Sequence, residues 1–157
     1  MSKITPFLWF ENQAEEAMNF YVSLFNNSKI VNVSRYGEGA PVPAGTVMSA
    51  TFELDGQTVQ ALNGGPQFKF NEAFSFYVDC EDQAEVDKFW NALTANGGEE
   101  GPCGWLKDKF GLSWQIIPRA LGEMLGDPDP DKSRRAMEAM LKMKKIDVAT
   151  LQQAYNG

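Results

Sequence analysis

The tetrapeptide Asn12-Gln13-Ala14-Glu15 returns seventy residues later as Asp82-Gln83-Ala84-Glu85. Each copy follows an apolar run, Phe7-Leu8-Trp9-Phe10 in the first case and Phe74-Ser75-Phe76-Tyr77-Val78 in the second. Each also opens a stretch whose apolar residues recur at three- and four-residue spacing. In the first these are Ala14, Ala17, Met18, Tyr21, Leu24 and Phe25; in the second, Val86, Phe89, Trp90 and Leu93. That spacing marks one face of an amphipathic helix. The chain therefore reads as a duplicated strand–helix unit, and duplication implies a cleft between two halves. A second feature limits the chemistry of such a cleft: the chain has no histidine.

At 157 residues the chain is long enough for one substantial core. Its formal charge of −7 disfavours nucleic acid and anionic membrane as partners. The basic residues Lys132, Arg134, Arg135, Lys142, Lys144 and Lys145 read as a solvated helix face. Two cysteines, Cys80 and Cys103, make no disulfide framework, and no apolar run reaches the length of a membrane span. With no apolar leader in view, a cytoplasmic location is expected.

The first strand is expected over 4–10, with Asn12 capping the helix that follows and Glu15 completing a capping-box pattern. Lys29 to Tyr36 reads as a strand, and 37–45 as a loop with two prolines. Thr46 to Leu54 and Gln57 to Leu62 alternate on either side of Asp55-Gly56, the signature of a tight hairpin. A type I′ turn fixes the pairing: Phe52 against Val59 and Ala50 against Ala61 on the apolar side, Thr51 against Gln60 and Glu53 against Thr58 on the polar side. In the second half, strands are expected over 72–80, 103–108 and 112–117, with Asp82 capping the intervening helix and Asp108-Lys109-Phe110-Gly111 forming a tight turn. Pro118 ends the repeat. Beyond it a helix is expected over 132–144, with Met137, Met140 and Leu141 on one stripe. Asp147 caps a last short helix bearing Val148, Leu151 and Tyr155. The methionine-rich faces read as cover for the sheet or for a partner subunit. The organisation expected is one domain over 1–157: a first module over 1–65, a second over 66–118, and a helical extension over 119–157.

Three segments carry a likeness: Ile4-Thr5-Pro6-Phe7-Leu8-Trp9-Phe10, Ala61-Leu62-Asn63-Gly64-Gly65-Pro66, and the run from Gly104 to Ile116, GWLKDKFGLSWQI. They resemble the PhnB-like branch of the vicinal oxygen chelate superfamily, which includes glyoxalase I, bleomycin-resistance proteins and extradiol dioxygenases. Many members of the branch carry the label 3-demethylubiquinone-9 3-methyltransferase. The resemblance implies an α+β fold in which two βαβββ modules form a cup-shaped mixed sheet, with helices on the convex side and C-terminal helices appended. It also implies a homodimer.

Metal-binding relatives hold a divalent ion with histidine and glutamate from the first and last strands of each half. Carried onto this chain, the four positions fall at or near Pro6, Gln60, Ala73 and Gln115. Two amides cannot offset the dehydration of such an ion, so neither metal nor other cofactor is expected. Parity along the strands then nominates a pocket for an unknown small organic molecule. Its lining is Leu8, Phe10, Gln60, Asn63, Ser75, Tyr77, Trp105 and Gln115: aromatic walls with a few fixed polar groups. Trp9, Trp90 and Trp114 read as core. Without histidine, neither a Cys–His nor a serine triad can be assembled, and Cys103 reads as a packed thiol.

Three functions fit this reading. The first is a metal-free binding protein that sequesters a small molecule, in the manner of bleomycin-resistance relatives. The second is a metal-independent enzyme, with a carboxylate or Tyr77 for acid–base work and Gln60 and Gln115 polarising a carbonyl. The methyltransferase label is a special case of it. However, Gly37-Glu38-Gly39 lies in a proline-bearing loop and Gly64-Gly65-Pro66 leads into no helix, so no adenosyl-cofactor loop is visible. The third is a dimeric interaction protein whose pocket is vestigial.

Overall fold

The computed structural model describes residues 2–157. Contacts divide it into two compact units, Met1–Phe70 and Asn71–Gly157. The first contains β1 (Phe7–Phe10), α1 (Ala14–Leu24), β2 (Lys29–Arg35), β3 (Val47–Leu54) and β4 (Gln57–Asn63). The second contains β5 (Ser75–Cys80), α2 (Gln83–Thr94), β6 (Glu99–Glu100), β7 (Trp105–Lys107) and β8 (Ser113–Pro118), followed by α3 (Arg119–Leu125), α4 (Pro130–Met140) and α5 (Val148–Asn156). Each unit thus carries one βαβββ module, and the fold is α+β. The two mixed sheets repeat one topology, β1-β4-β3-β2 and β5-β8-β7-β6, with the first and last strands of each module parallel and adjacent.

In the first sheet the hairpin pairs as the turn chemistry requires: Phe52 lies against Val59, Ala50 against Ala61 and Thr51 against Gln60. Asp55 and Gly56 both have positive φ, 48° and 79°, the backbone that a type I′ turn needs. Val59, Ala61, Ala50 and Phe52 are buried, as are Ala14, Ala17, Met18 and Tyr21 of α1, which packs mainly on β3. In the second sheet Trp114, Ile116 and Leu106 are buried with Val86, Phe89, Trp90 and Leu93 of α2. Ile117 is buried in a separate cluster with Leu121, Met124, Ala136, Ile146 and Leu151, which ties the C-terminal helices to the end of β8.

Several boundaries differ from the sequence reading, each for a local reason. Asn12 does not cap α1. The Ala14 N–H donates instead to Asn63 Oδ1 at 2.8 Å, so the cap comes from the end of β4. β5 begins at Ser75 rather than near Glu72, because Asn71 turns the chain and accepts from the Ala73 N–H. β7 begins at Trp105 because Cys103 and Gly104 have positive φ and donate their N–H groups to the carbonyls of Met143 and Lys144. Gly104 is required there: a Cβ would sit 2.7 Å from Ile117 Cδ1 and 3.0 Å from the Ile116 carbonyl oxygen. Pro118 does not simply end the repeat but leads directly into α3, where its missing N–H is no loss. α4 starts earlier than expected, at Pro130, with Asp129 as its cap, and it leaves Met137 and Leu141 exposed while Ala136 is buried.

Candidate functional site

Parallel pairing of β5 and β8 sets Tyr77 beside Gln115 and Ser75 beside Ser113. Antiparallel pairing of β7 and β8 sets Trp105 beside the same Gln115 and Lys107 beside Ser113. Paired residues share a face. Ser75, Tyr77, Trp105, Lys107, Ser113 and Gln115 therefore form one surface, opposite the side on which Trp114 and Ile116 meet α2. Gln115 Nε2 donates to Ser75 Oγ at 3.1 Å. The amide is oriented by that bond. Burial, then the nearby Asp79 and Cys80, push the Tyr77 phenol above its ordinary value, so at neutral pH it is a hydrogen-bond donor.

At the β6–β7 end of this surface lies a cavity of about 450 Å³, lined by Glu72, Glu99, Glu100, Trp105, Lys107 and Ser113 among others. Lys107 forms an ion pair with Glu72, which holds the Glu72 carboxyl below its ordinary value. At the opposite end, Tyr77, Asp79, Arg119 and Glu123 help line a smaller recess of about 320 Å³, across which Arg119 pairs with Asp79 at 3.3 Å. Neither recess was foreseen from the sequence. The first needs β6, a two-residue strand with no periodic signal, and the second needs α3.

Four of the eight pocket residues nominated from sequence thus come together: Ser75, Tyr77, Trp105 and Gln115. The other four lie in the first unit. Leu8 and Phe10 are only 3% and 2% exposed, and β1 enters beside β4 with Phe7 next to Gln60 and Leu8 next to Ala61. The parity assigned to β1 is therefore off by one residue. Phe7 and Trp9 share the face of Gln60, while Leu8 joins Ala61 in the core. Asn63 is engaged at both ends of its amide, accepting from the Ala14 N–H and donating to the Val47 carbonyl, so it is a brace rather than a pocket wall. Gln60 stands half-buried in Phe7's rung.

The same registers move the first of the four positions carried over for a metal by one residue, within the expected neighbourhood of Pro6, and shift the third. Gln60 has Phe7 as its rung partner, not Pro6, and Gln115 has Tyr77, not Ala73. Phe7 and Tyr77 are seventy residues apart, the same offset as the repeated tetrapeptide. Phenylalanine, tyrosine and two carboxamides do not make a donor set for a divalent ion. Among the described residues no group of three or more cysteine, aspartate or glutamate side chains is arranged to hold a metal ion.

The remaining candidates are structural. Trp90 and Trp114 are buried, and their indole N–H groups donate to Glu100 and Asp108. Trp9 donates to the Gly65 carbonyl and meets Phe68 edge-on. Cys80 is fully buried, and burial pushes its thiol up to about 12, which leaves it unreactive at neutral pH. Arg135, from the basic run, donates to the Ala154 and Tyr155 carbonyls at the end of α5.

Residues 2–117 match the model of the 3-demethylubiquinone-9 3-methyltransferase family. The chain belongs to this family. Its α3–α5 extension lies beyond the matched span. A PhnB protein from Bacillus cereus carrying the same methyltransferase description is 43% identical, with a TM-score of 0.68 over 74% of this chain and 99% of that one. A protein from Pseudomonas aeruginosa is 21% identical, with a TM-score of 0.62 over 75% and 98%. The fosfomycin resistance protein FosX from Listeria monocytogenes is 15% identical, with a TM-score of 0.55 over 80% and 98%, a likeness of fold. No curated protein matches the chain. The fold of this methyltransferase-labelled family is thus shared with FosX. No helix among the described residues is long and apolar enough to cross a membrane.

Proposed function

We propose that this member of the family is a metal-independent small-molecule binding protein, and that its site is the face formed by Ser75, Tyr77, Trp105 and Gln115. The observation that carries the reading is the hydrogen bond from Gln115 to Ser75 between two flanking aromatic side chains. It fixes a polar handle within an apolar wall, the arrangement that selects a small organic ligand. Binding accounts for these residues better than acid–base catalysis does. A general acid or base works best with a pKa near the working pH. Tyr77 is shifted upward and Glu72 downward, each away from neutrality. A literal methyltransferase reading gains no support either, since Gly64-Gly65-Pro66 and Gly37-Glu38-Gly39 both run into turns and neither opens a helix.

A thermal-shift screen of quinones, phosphonates, glycopeptides and adenosyl cofactors tests the proposal, with elemental analysis of the same preparation. A compound should raise the melting temperature of the wild type and of Gln60→Ala but not of Gln115→Ala, with no stoichiometric divalent metal. Stoichiometric metal, or a ligand shift indifferent to Gln115→Ala, would sink it. The exposed apolar side chains Phe7, Phe68, Phe74 and Tyr77 support a homodimer in addition. Sedimentation at a single 17.5 kDa species would exclude that.

A further inference from the structure

Ser113 is 1% exposed, lines the 450 Å³ cavity, and its Oγ has no hydrogen-bond partner. Buried hydroxyls are nearly always satisfied, so an orphan beside a cavity points to a partner that comes from outside the chain. The charge around it is one-sided: Glu72, Glu99 and Glu100 against Lys107 alone. Trp105 supplies an aromatic wall, and Glu100 is held in place by the Trp90 indole N–H at 2.8 Å. From these observations we infer that the cavity seats an organic cation that bears N–H groups, a primary ammonium or guanidinium on an apolar or aromatic body.

Each part of the cavity has a role in that seat. The ammonium donates to Ser113 Oγ, which can accept, and to the free sides of the glutamate carboxylates. Lys107 lies next to Ser113 in the sheet and pairs with Glu72. Both members of that pair are solvent-exposed, and exposed pairs contribute little, so an incoming cation displaces Lys107 from Glu72 readily. The body of the ligand stacks on Trp105, where a cation is also attracted to the indole face. An anion has one positive group to meet and three negative ones to avoid. The inference rests on the binding reading above, because it places the ligand on the same sheet. It differs in naming the ligand's charge and in hanging it on Ser113 and the glutamates rather than on Gln115.

The test is calorimetric titration of the full chain with phenethylamine, phenethyl alcohol and phenylacetate, three probes that differ in the head group. Phenethylamine should bind, the alcohol about tenfold more weakly or worse, and phenylacetate not at all. The double variant Glu99→Gln, Glu100→Gln should weaken the amine about tenfold, and raised salt should weaken it further. Ser113→Ala removes an unsatisfied polar atom, so it should fold at least as well as the wild type while binding the amine less tightly. The inference is overturned if the wild type does not bind phenethylamine, if phenylacetate binds as well, or if the double variant binds the amine unchanged. If the amine fails while another compound still gives a Gln115-dependent thermal shift, the cation seat falls and the binding reading survives. If the amine binds and Gln115→Ala leaves that binding intact, the seat stands and the broader site falls.

Discussion

The two modules share a topology but spend their polar residues differently. In the first, the amide at the end of β4, Asn63, caps α1 and braces β3, and the rung of Gln60 is filled by Phe7. In the second, α2 is capped locally: Asp82 accepts from the Glu85 N–H, and Glu85 reaches back to the Glu81 N–H. The long-range tie of α2 runs instead through Gln83, which donates to the Ile146 carbonyl and accepts from the Val148 N–H, and the strand-end position equivalent to Asn63 is Pro118. The rung of Gln115 carries Tyr77, Trp105 and a hydrogen bond to Ser75, beside a cavity with an orphan hydroxyl. Duplication gave two copies of a scaffold, and the proposed ligand site falls on only one of them.

The contrast is open to attack at several points. The largest effect should come from Asp108, which is 2% exposed and accepts from the Phe110 and Leu112 N–H groups and the Trp114 indole. The matching turn in the first module, Asp55-Gly56, is exposed. Asp108→Ala should therefore cost about 3–5 kcal/mol in urea unfolding, against less than about 1 for Asp55→Ala. Next is Gly104→Ala, which combines positive φ with a Cβ clash against β8. A loss of about 2–3 kcal/mol is expected, accompanied by faster proteolysis of the C-terminal helices. Third, the two styles of capping should separate. Asn63→Ala loses a cap and a brace, about 2 kcal/mol, whereas Asp82→Ala loses a local cap, about 1; equal losses would erase the distinction. The smallest effect is in acid. The carboxyls of Glu15 and Glu72 are held below 4.5 by hydrogen bonds from Arg35 and Lys107 respectively. A depressed carboxyl stabilises the fold above its unfolded value and loses that contribution as pH falls through its folded value. Arg35→Ala and Lys107→Ala should each lower the melting temperature slightly above about pH 5 and leave it unchanged at the acid end, so that the acid limb of the profile flattens.

The scaffold was legible in the sequence because its signals are local and periodic. The repeated tetrapeptide, the helical spacing from Ala14 to Tyr21 and the Asp55-Gly56 turn each fix a neighbourhood without reference to the rest of the chain. The strand faces that carry the proposed site were legible in part. Parity along β8 puts Ser113 and Gln115 on one face, with the Asp108–Gly111 turn anchoring β8 against β7, and parallel pairing with β8 brings Ser75 and Tyr77 of β5 to that face. Parity along β1 failed because nothing local anchors it. Its register comes from parallel pairing with β4, some fifty residues away, where Phe7 meets Gln60. The cap from Asn63 is likewise a product of tertiary packing, with its partners 16 and 49 residues away, while β6 is local but too short for a periodic signal.

The most direct test of the account is to map a bound ligand by amide chemical-shift perturbation, using whichever compound raises the melting temperature most. Perturbations concentrated at Ser75, Tyr77, Trp105 and Gln115 are predicted, with Phe7, Gln60 and Leu62 undisturbed. A map centred on the first module, or one that spares Gln115 and its neighbours, would contradict it.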